Sequence, residues 1–244
     1  MVNGICCRKF YIRDGSKMIS IAIDGPSGAG KSTIARAAAA KFGFIYVDTG
    51  AIYRTIGLAS KLYGVDAEDN CAVISLLPEI GIELSYNDSD EQIMLLNGKD
   101  VSRDIRTPEV SMLASKVSAI PEVRAFLVEM QRDMARRHDV IMDGRDIGTV
   151  ILPNADLKVF LTADVQARAR RRYNELAAKG RNDTFDEVLA DMIKRDEQDT
   201  ERAAAPLKAA DDAVLLDTSN LTLEESVAAV CRLISEKCGI EEKA

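Results

Sequence analysis

The run Gly25-Pro26-Ser27-Gly28-Ala29-Gly30-Lys31-Ser32-Thr33 holds three glycines, a lysine and three hydroxyls in an arrangement suited to one task, the cradling of a polyphosphate. Glycines let backbone N–H groups turn inward around phosphate oxygens, a helix N-terminus adds a favourable dipole, and Lys31 spreads positive charge over the β- and γ-phosphates. Ser32 stands where a hydroxyl ligates the Mg²⁺ carried in with the nucleotide. A chance match to Gly25-x-x-x-x-Gly30-Lys31-Ser32 has a probability of roughly one in a hundred for a chain of this size. A carboxylate closing a neighbouring strand normally helps to hold the metal, and Asp143, at the end of Val140-Ile141-Met142, has that form.

Arginine is the second chemical signal. Arg54 follows the second apolar run, Arg145 lies two residues after Asp143, Arg168, Arg170, Arg171 and Arg172 crowd one helical stretch, and Arg195 and Arg202 lie further on. Any one of these reads as a solvated surface residue, but as a set they suit two polyphosphate ligands facing each other, because guanidinium offers paired donors matched to phosphate oxygens. The single histidine, His138, sits in the charged stretch RRHD, and no general base is evident. An acceptor hydroxyl would want a base, whereas an acceptor phosphate is already ionised at neutral pH. Phosphoryl transfer onto a monophosphate asks only for positioning and charge stabilisation.

The elements that must position these groups are legible. Near-continuous apolar runs at Ile19 to Ile23, Phe44 to Val47, Val140 to Met142, Leu157 to Leu161 and Ala213 to Leu216 suit strands buried on both faces. Helical stretches run from Ser32 to Phe42, Ala51 to Tyr63, Thr162 to Lys179, Thr184 onward and Thr222 to Cys238, four of them ending at glycine. Strand and helix alternate, so an α/β fold is expected. Between Ile82 and Val101 the pattern changes to two short strands around Asn-Asp-Ser-Asp, followed by the tight-turn pair Asn97-Gly98, which predicts a small antiparallel insert.

Bulk properties bound the rest. The chain has 244 residues, enough for one large domain or a core with small lobes, and 39 acidic against 32 basic residues argue against a protein built to grip a nucleic-acid polymer. No apolar run reaches membrane-spanning length, and the N-terminus lacks the apolar core of a signal peptide. Five cysteines without paired spacing read as reduced thiols. A cytoplasmic protein is expected. Apolar patterning begins only at Met18, so residues 1–17 read as a disordered extension outside a domain of 18–244.

Taken together, GPSGAGKST at Gly25 to Thr33, YVDTGAIYR at Tyr46 to Arg54, DVSRDIRTPEVS at Asp100 to Ser111, DGRDIGTV at Asp143 to Val150 and RAAAPLKAADDAVLLDTS at Arg202 to Ser219 closely resemble the bacterial-type cytidylate kinases. The resemblance runs from Met18 almost to the end. It implies a P-loop NTPase fold, a five-stranded parallel sheet flanked by helices, with a monophosphate-binding insert near 80–115 and a helical lid near 168–195. It implies ATP and CMP or dCMP as substrates, Mg²⁺ bound with ATP, and a monomer. Carried over by motif, Gly25 to Thr33 with Arg168, Arg171 and Arg172 hold ATP, and Lys31, Arg145, Arg171 and Arg202 stabilise the transferring phosphoryl. Arg54, Arg145 and Arg202, with Thr49 and Gly50 beside them, hold the acceptor phosphate, Asp199 and Arg195 the sugar, and Ser115, Arg124 and Asp146 the cytosine.

Cytosine offers an exocyclic amine to a carboxylate, while its ring nitrogen and carbonyl need donors such as arginine. Uracil places a carbonyl where cytosine has the amine, and Asp146 would repel it. Departures from the common pattern are few: Thr49 stands where some members carry serine, and Ile52 where methionine is frequent. The rival readings are a kinase for another small acceptor, such as UMP, shikimate or dephospho-coenzyme A, and a nucleotide-dependent regulatory module. Dependence of ATP turnover on CMP separates them.

Overall fold

A computed structural model describes residues 17–87, 92–202 and 204–243. The extension expected at 1–17 thus lies outside the described residues except for Lys17, as does most of the Asn-Asp-Ser-Asp turn. In chain order the elements are β1 (Ser20–Asp24), α1 (Lys31–Phe42), β2 (Ile45–Asp48), α2 (Thr49–Leu62), α3 (Asn70–Leu76), β3 (Ile82–Tyr86), β4 (Gln92–Leu96), β5 (Lys99–Asp100), α4 (Pro108–Ser118) and α5 (Pro121–Arg137). There follow β6 (Val140–Gly144), β7 (Leu157–Thr162), α6 (Val165–Ala178), α7 (Phe185–Glu201), β8 (Val214–Asp217) and α8 (Leu223–Cys238). The chain divides into two compact units, Asp48–His138 and Ile19–Val47 with Asp139–Ala244.

In the latter unit the five apolar runs form one sheet in the order β2-β6-β1-β7-β8. The β1–β6, β1–β7 and β7–β8 pairs are parallel, with Ile23 opposite both Asp143 and Val159. Parallel strands need crossover connections and have both faces covered, which is why these runs are apolar without alternation. On one face α1 and α8 bury Ile34, Ala35, Ala38, Phe42, Val230 and Ile234 against Ile21, Ile23, Ile141, Val159 and Leu161. Ala35, Ala38 and Ala39 are the buried alanines of α1, small side chains that let the helix lie close to the sheet. Each end of this scaffold is sealed locally: Gly43 and Gly239 adopt left-handed backbone at φ 66° and 65°, and Thr222 with Glu225 closes a reciprocal capping box on α8.

Antiparallel helices α6 and α7 form a hairpin with its own small core of Ala169, Val188 and Met192. Strand β7 extends through Thr162, so α6 begins later than the Thr162 start expected from sequence; the Asp164 carboxylate caps it by accepting from Gln166 N and Ala167 N. Thr184 and Glu187 form the capping box of α7.

The Asp48–His138 unit contains the antiparallel sheet β3-β4-β5, in which Ile82 pairs with Leu96 and Tyr86 with Gln92. Asn97 and Gly98 carry φ of 51° and 79°, the left-handed pair a tight two-residue turn requires. Around this sheet lie α2 to α5. Helices α3, α4 and α5 were not expected from sequence, although Pro108 and Pro121 open α4 and α5 at positions where a missing N–H costs nothing. Their apolar stripes are thin: α5 buries only Val123, Leu127 and Met134 together with Arg124 and Gln131.

Candidate active site

The P-loop leaves β1 at Asp24 and enters α1 at Lys31, the strand-to-helix context its spacing predicts. Gly25 is required by close approach: a Cβ there would collide with the Leu161 carbonyl oxygen on β7. A Cβ on Gly28 would come within 2.9 Å of Met192 Cε, so the loop fits tightly under α7. Lys31 is 5% exposed, and its Nζ donates to the Pro26 carbonyl at 2.7 Å, across the span where the loop would enclose a phosphate. Burial pushes its ammonium down to about 7, and the positive charge of Arg145 adds to this, against Asp143, Asp24 and Asp199.

Ser32 Oγ donates to Asp143 Oδ2 at 2.8 Å, and Tyr46 Oη donates to Asp143 Oδ1 at 2.8 Å. A hydroxyl and a carboxylate in contact make a hard, all-oxygen donor set, which fits Mg²⁺. Tyr46 carries no signal in the sequence beyond its place in YVDTGAIYR, and its contact with Asp143 arises because β2 lies beside β6.

Beyond β6, Arg145 Nε donates to Asp199 Oδ2 at 2.6 Å and its NH1 to the Gly144 carbonyl at 3.2 Å. Burial raises the Asp199 carboxyl, but Arg145, helped by Arg195 and Arg202, outweighs it and holds the group below the ordinary carboxylate range. Arg202 follows the last turn of α7; its Nε donates to Ala205 O at 2.6 Å, and its NH2 lies 3.5 Å from Asp146 Oδ1. Asp146 is 6% exposed. The structure thus gathers Arg145, Asp146, Arg195, Asp199 and Arg202 at the ends of β6 and α7, in the same unit as Lys31, Ser32 and Asp143.

In the helical hairpin the arginines divide. Arg168 is buried, pairs through NH1 and NH2 with Asp196, and donates from NH1 to the carbonyl of Ser27 in the P-loop at 2.9 Å. Arg171 NH2 donates to Thr218 O, and Arg172 pairs with Glu175 at the surface. Exposed Arg170 stacks its guanidinium 4.2 Å from the Phe185 ring centroid. Asp196 is a partner that sequence reasoning missed; nothing in a charged helix marks one aspartate among several.

The remaining expected residues belong to the Asp48–His138 unit. Thr49, buried, and Gly50 open α2, and Arg54 NH2 donates to the buried Asp48 carboxylate at 2.9 Å. Arg106, from the DVSRDIRTPEVS motif, approaches the same carboxylate at 3.0 Å. Burial would raise Asp48, but Arg54 and Arg106 carry it below its usual range. Arg54 Nε is buried without a hydrogen-bond partner. Arg124 is 6% exposed, donates to Ser118 O at 3.3 Å and lies 5.8 Å over the Tyr53 ring, while Ser115 is half-buried on α4.

A sequence model of the cytidylate kinase family matches residues 21–236. The chain belongs to that family. It is 48% identical over 217 residues to the cytidylate kinase of Carboxydothermus hydrogenoformans, covering 89% of this chain and 97% of that protein. The cytidylate kinase of Lactobacillus johnsonii is 46% identical over 220 residues, 90% of this chain and 95% of the relative. That of Flavobacterium johnsoniae is 45% identical over 229 residues, 92% of this chain and the whole of the relative. Every segment of the site described above lies inside the span matched by the cytidylate kinase family.

Proposed function

We propose that this chain transfers the γ-phosphoryl of ATP to CMP and dCMP, giving CDP and dCDP. The observation that carries the reading is the cluster in which Arg145 and Arg202 reach Asp199 and Asp146 in the same unit as the P-loop lysine. A P-loop alone needs no second polar cluster of this kind, and a regulatory module has no use for one.

In this reading the backbone of Gly25 to Thr33 and Lys31 hold the triphosphate. Ser32 and Asp143 would hold Mg²⁺, which would supply neutralisation of the charge on the triphosphate. Lys31 gives up the Pro26 carbonyl for phosphate oxygens. Arg145 and Arg202 exchange carboxylate and carbonyl partners for the acceptor phosphate, so their charges are already oriented before the ligand arrives. Asp199 and Arg195 take the sugar hydroxyls, and Asp146 accepts from the cytosine amine. Arg54, Ser115 and Arg124 belong to the Asp48–His138 unit, where Arg54 is a phosphate donor and Ser115 and Arg124 are base donors. The segment 168–195 acts as the lid, with Arg171 and Arg172 turning to the phosphates while Arg168 ties α6 and α7 to the loop; closure excludes water that would otherwise intercept the phosphoryl. No helix among the described residues is long and apolar enough to cross a membrane, and a reducing cytoplasm suits the thiols of Cys71 and Cys231.

A coupled assay of ADP formation with ATP and Mg²⁺ against CMP, dCMP, UMP and AMP tests the reading. Strong stimulation by CMP and dCMP is expected. Turnover indifferent to CMP would overturn it, and equal kcat/KM for CMP and UMP would remove Asp146 from base recognition.

A further inference from the structure

Asp24 ends β1 immediately before the P-loop, is 5% exposed, and is not used by the roles assigned above. Its Oδ1 accepts from Ile147 N at 2.8 Å and its Oδ2 from Gly148 N at 2.7 Å. These are the two backbone amides that directly follow Asp146. We propose that Asp24 is a positioning residue for acceptor recognition, clamping the peptides after Asp146 so that the carboxylate of Asp146 is presented to the base in one orientation. The proposal rests on the reading in which Asp146 accepts from the cytosine amine.

Three features of the chain support the clamp. The first is backbone geometry: Asp146 lies where the chain turns from β6 into the single wide helical turn Ile147–Ile151, so the direction of its peptide is set by how the first amides of that turn are held. Val150 N and Ile151 N donate back to the Asp146 carbonyl, so the turn is held from its own side and the two amides at its start are left for Asp24.

The second is chemical valence. Two consecutive N–H groups need two acceptors, and among side chains of this length only a carboxylate supplies two; an amide supplies one acceptor and one donor. A buried carboxylate is costly, and burial pushes Asp24 up to about 6 even though both amides favour its ionised form. The third is space. A Cβ on Gly148 would lie 3.1 Å from Lys158 Cδ and in van der Waals contact with Asp24 Oδ2 at 3.4 Å, so a side chain there would press the turn between Lys158 and its acceptor. Lys158 itself is pinned by Asp212 at 2.8 Å.

The test is the split between the two substrates in Asp24→Asn. Leaving one buried amide unsatisfied and facing a donor is expected to raise KM for CMP roughly tenfold and to narrow the CMP-over-UMP preference, with a smaller change in KM for ATP. The P-loop hydrogen bonds, including Lys31 to Pro26, do not pass through the Asp24 side chain, but its charge favours the Lys31 ammonium, so constancy of KM for ATP is read in Gly148→Ala, which keeps that charge. Gly148→Ala leaves the Asp24 charge in place and crowds the same clamp from the opposite side, where the Lys158 stem must give by a few tenths of an ångström. It is expected to shift KM for CMP in the same direction by a smaller factor, and it decides the matter if Asp24→Asn does not fold. An unchanged KM for CMP and an unchanged base preference overturn the proposal, and so does an equal rise in both KM values, which marks a general structural role. Wild-type enzyme that does not phosphorylate CMP overturns the functional reading itself, whereas wild-type activity with an indifferent Asp24→Asn overturns only the clamp.

Discussion

Arg145 Nε and Asp199 Oδ2 meet at 2.6 Å, tying the end of β6 to the last turn of α7 across 54 residues of chain. Both side chains are largely withdrawn from water, at 20% and 13% exposure. The pair is therefore a structural link between these two elements, and in the function proposed above it also holds oriented charge for the acceptor.

That link sets an acid dependence. The Asp199 carboxyl is held below its ordinary 3.8, so its contribution to stability is complete above that value and is lost as pH falls through the lower folded-state pKa. Asp199→Asn is expected to be less stable near neutrality by about 1–3 kcal/mol, because Arg145 loses its charged partner. Thermal melts should show the wild type losing its advantage over the variant below about pH 4. A constant difference across that range would separate the pair from the acid response.

Lys31 provides a second pH signature. With its pKa lowered to about 7 in the ligand-free chain, it is largely neutral at pH 8, and bound phosphates will restore the proton. ATP binding at pH 8 is expected to take up close to one proton, against almost none at pH 6, and affinity should weaken as pH rises above 7. Calorimetry in buffers of different ionisation enthalpy measures the uptake directly. Lys31→Ala should abolish it.

The contacts of Asp143 with Ser32 and Tyr46 bear on the metal. Asp143→Asn removes the charge while keeping the size of the side chain, and the half-saturating Mg²⁺ concentration should rise at least tenfold. Tyr46→Phe removes a hydrogen bond that orients the Asp143 carboxylate and should act in the same direction by a smaller factor. Titration of activity with Mg²⁺ at saturating ATP reads both, and a variant with a depressed plateau but an unshifted midpoint would place Asp143 outside the metal's surroundings.

Donor and acceptor roles should separate in the kinetics. Lys31→Ala is expected to depress kcat by at least a hundredfold through lost charge stabilisation. Asp146→Asn should mainly relax the choice between CMP and UMP, with a smaller loss on CMP. Equal, unselective losses in both variants would contradict the division.

What could be read directly from the chain were features whose causes are local. The P-loop announced itself because phosphate binding demands glycines and a lysine at fixed spacing beside a strand and a helix. The five core strands were legible because burial on both faces leaves uninterrupted apolar runs, and each lies within a residue or two of its expected limits. Asn97-Gly98 marked the hairpin because few other pairs tolerate left-handed backbone twice. Helices α3 to α5 are hard to read in the chain because α3 and α4 bury only two and three apolar residues and the buried stripe of α5 includes Arg124 and Gln131.

Tertiary structure alone decided the partnerships. Nothing in the spacing of Asp24, Tyr46, Asp48 or Asp196 tells them from the many other polar residues of the chain. Their partners, at Ile147 and Gly148, Asp143, Arg106 and Arg168, become neighbours through strand order and helix placement. Residue type determined by itself what each group could donate, accept or neutralise. Which group meets which depends on contacts between segments far apart in sequence, and those are settled only when the sheet closes in the order β2-β6-β1-β7-β8 and burial forces each polar atom to find a partner.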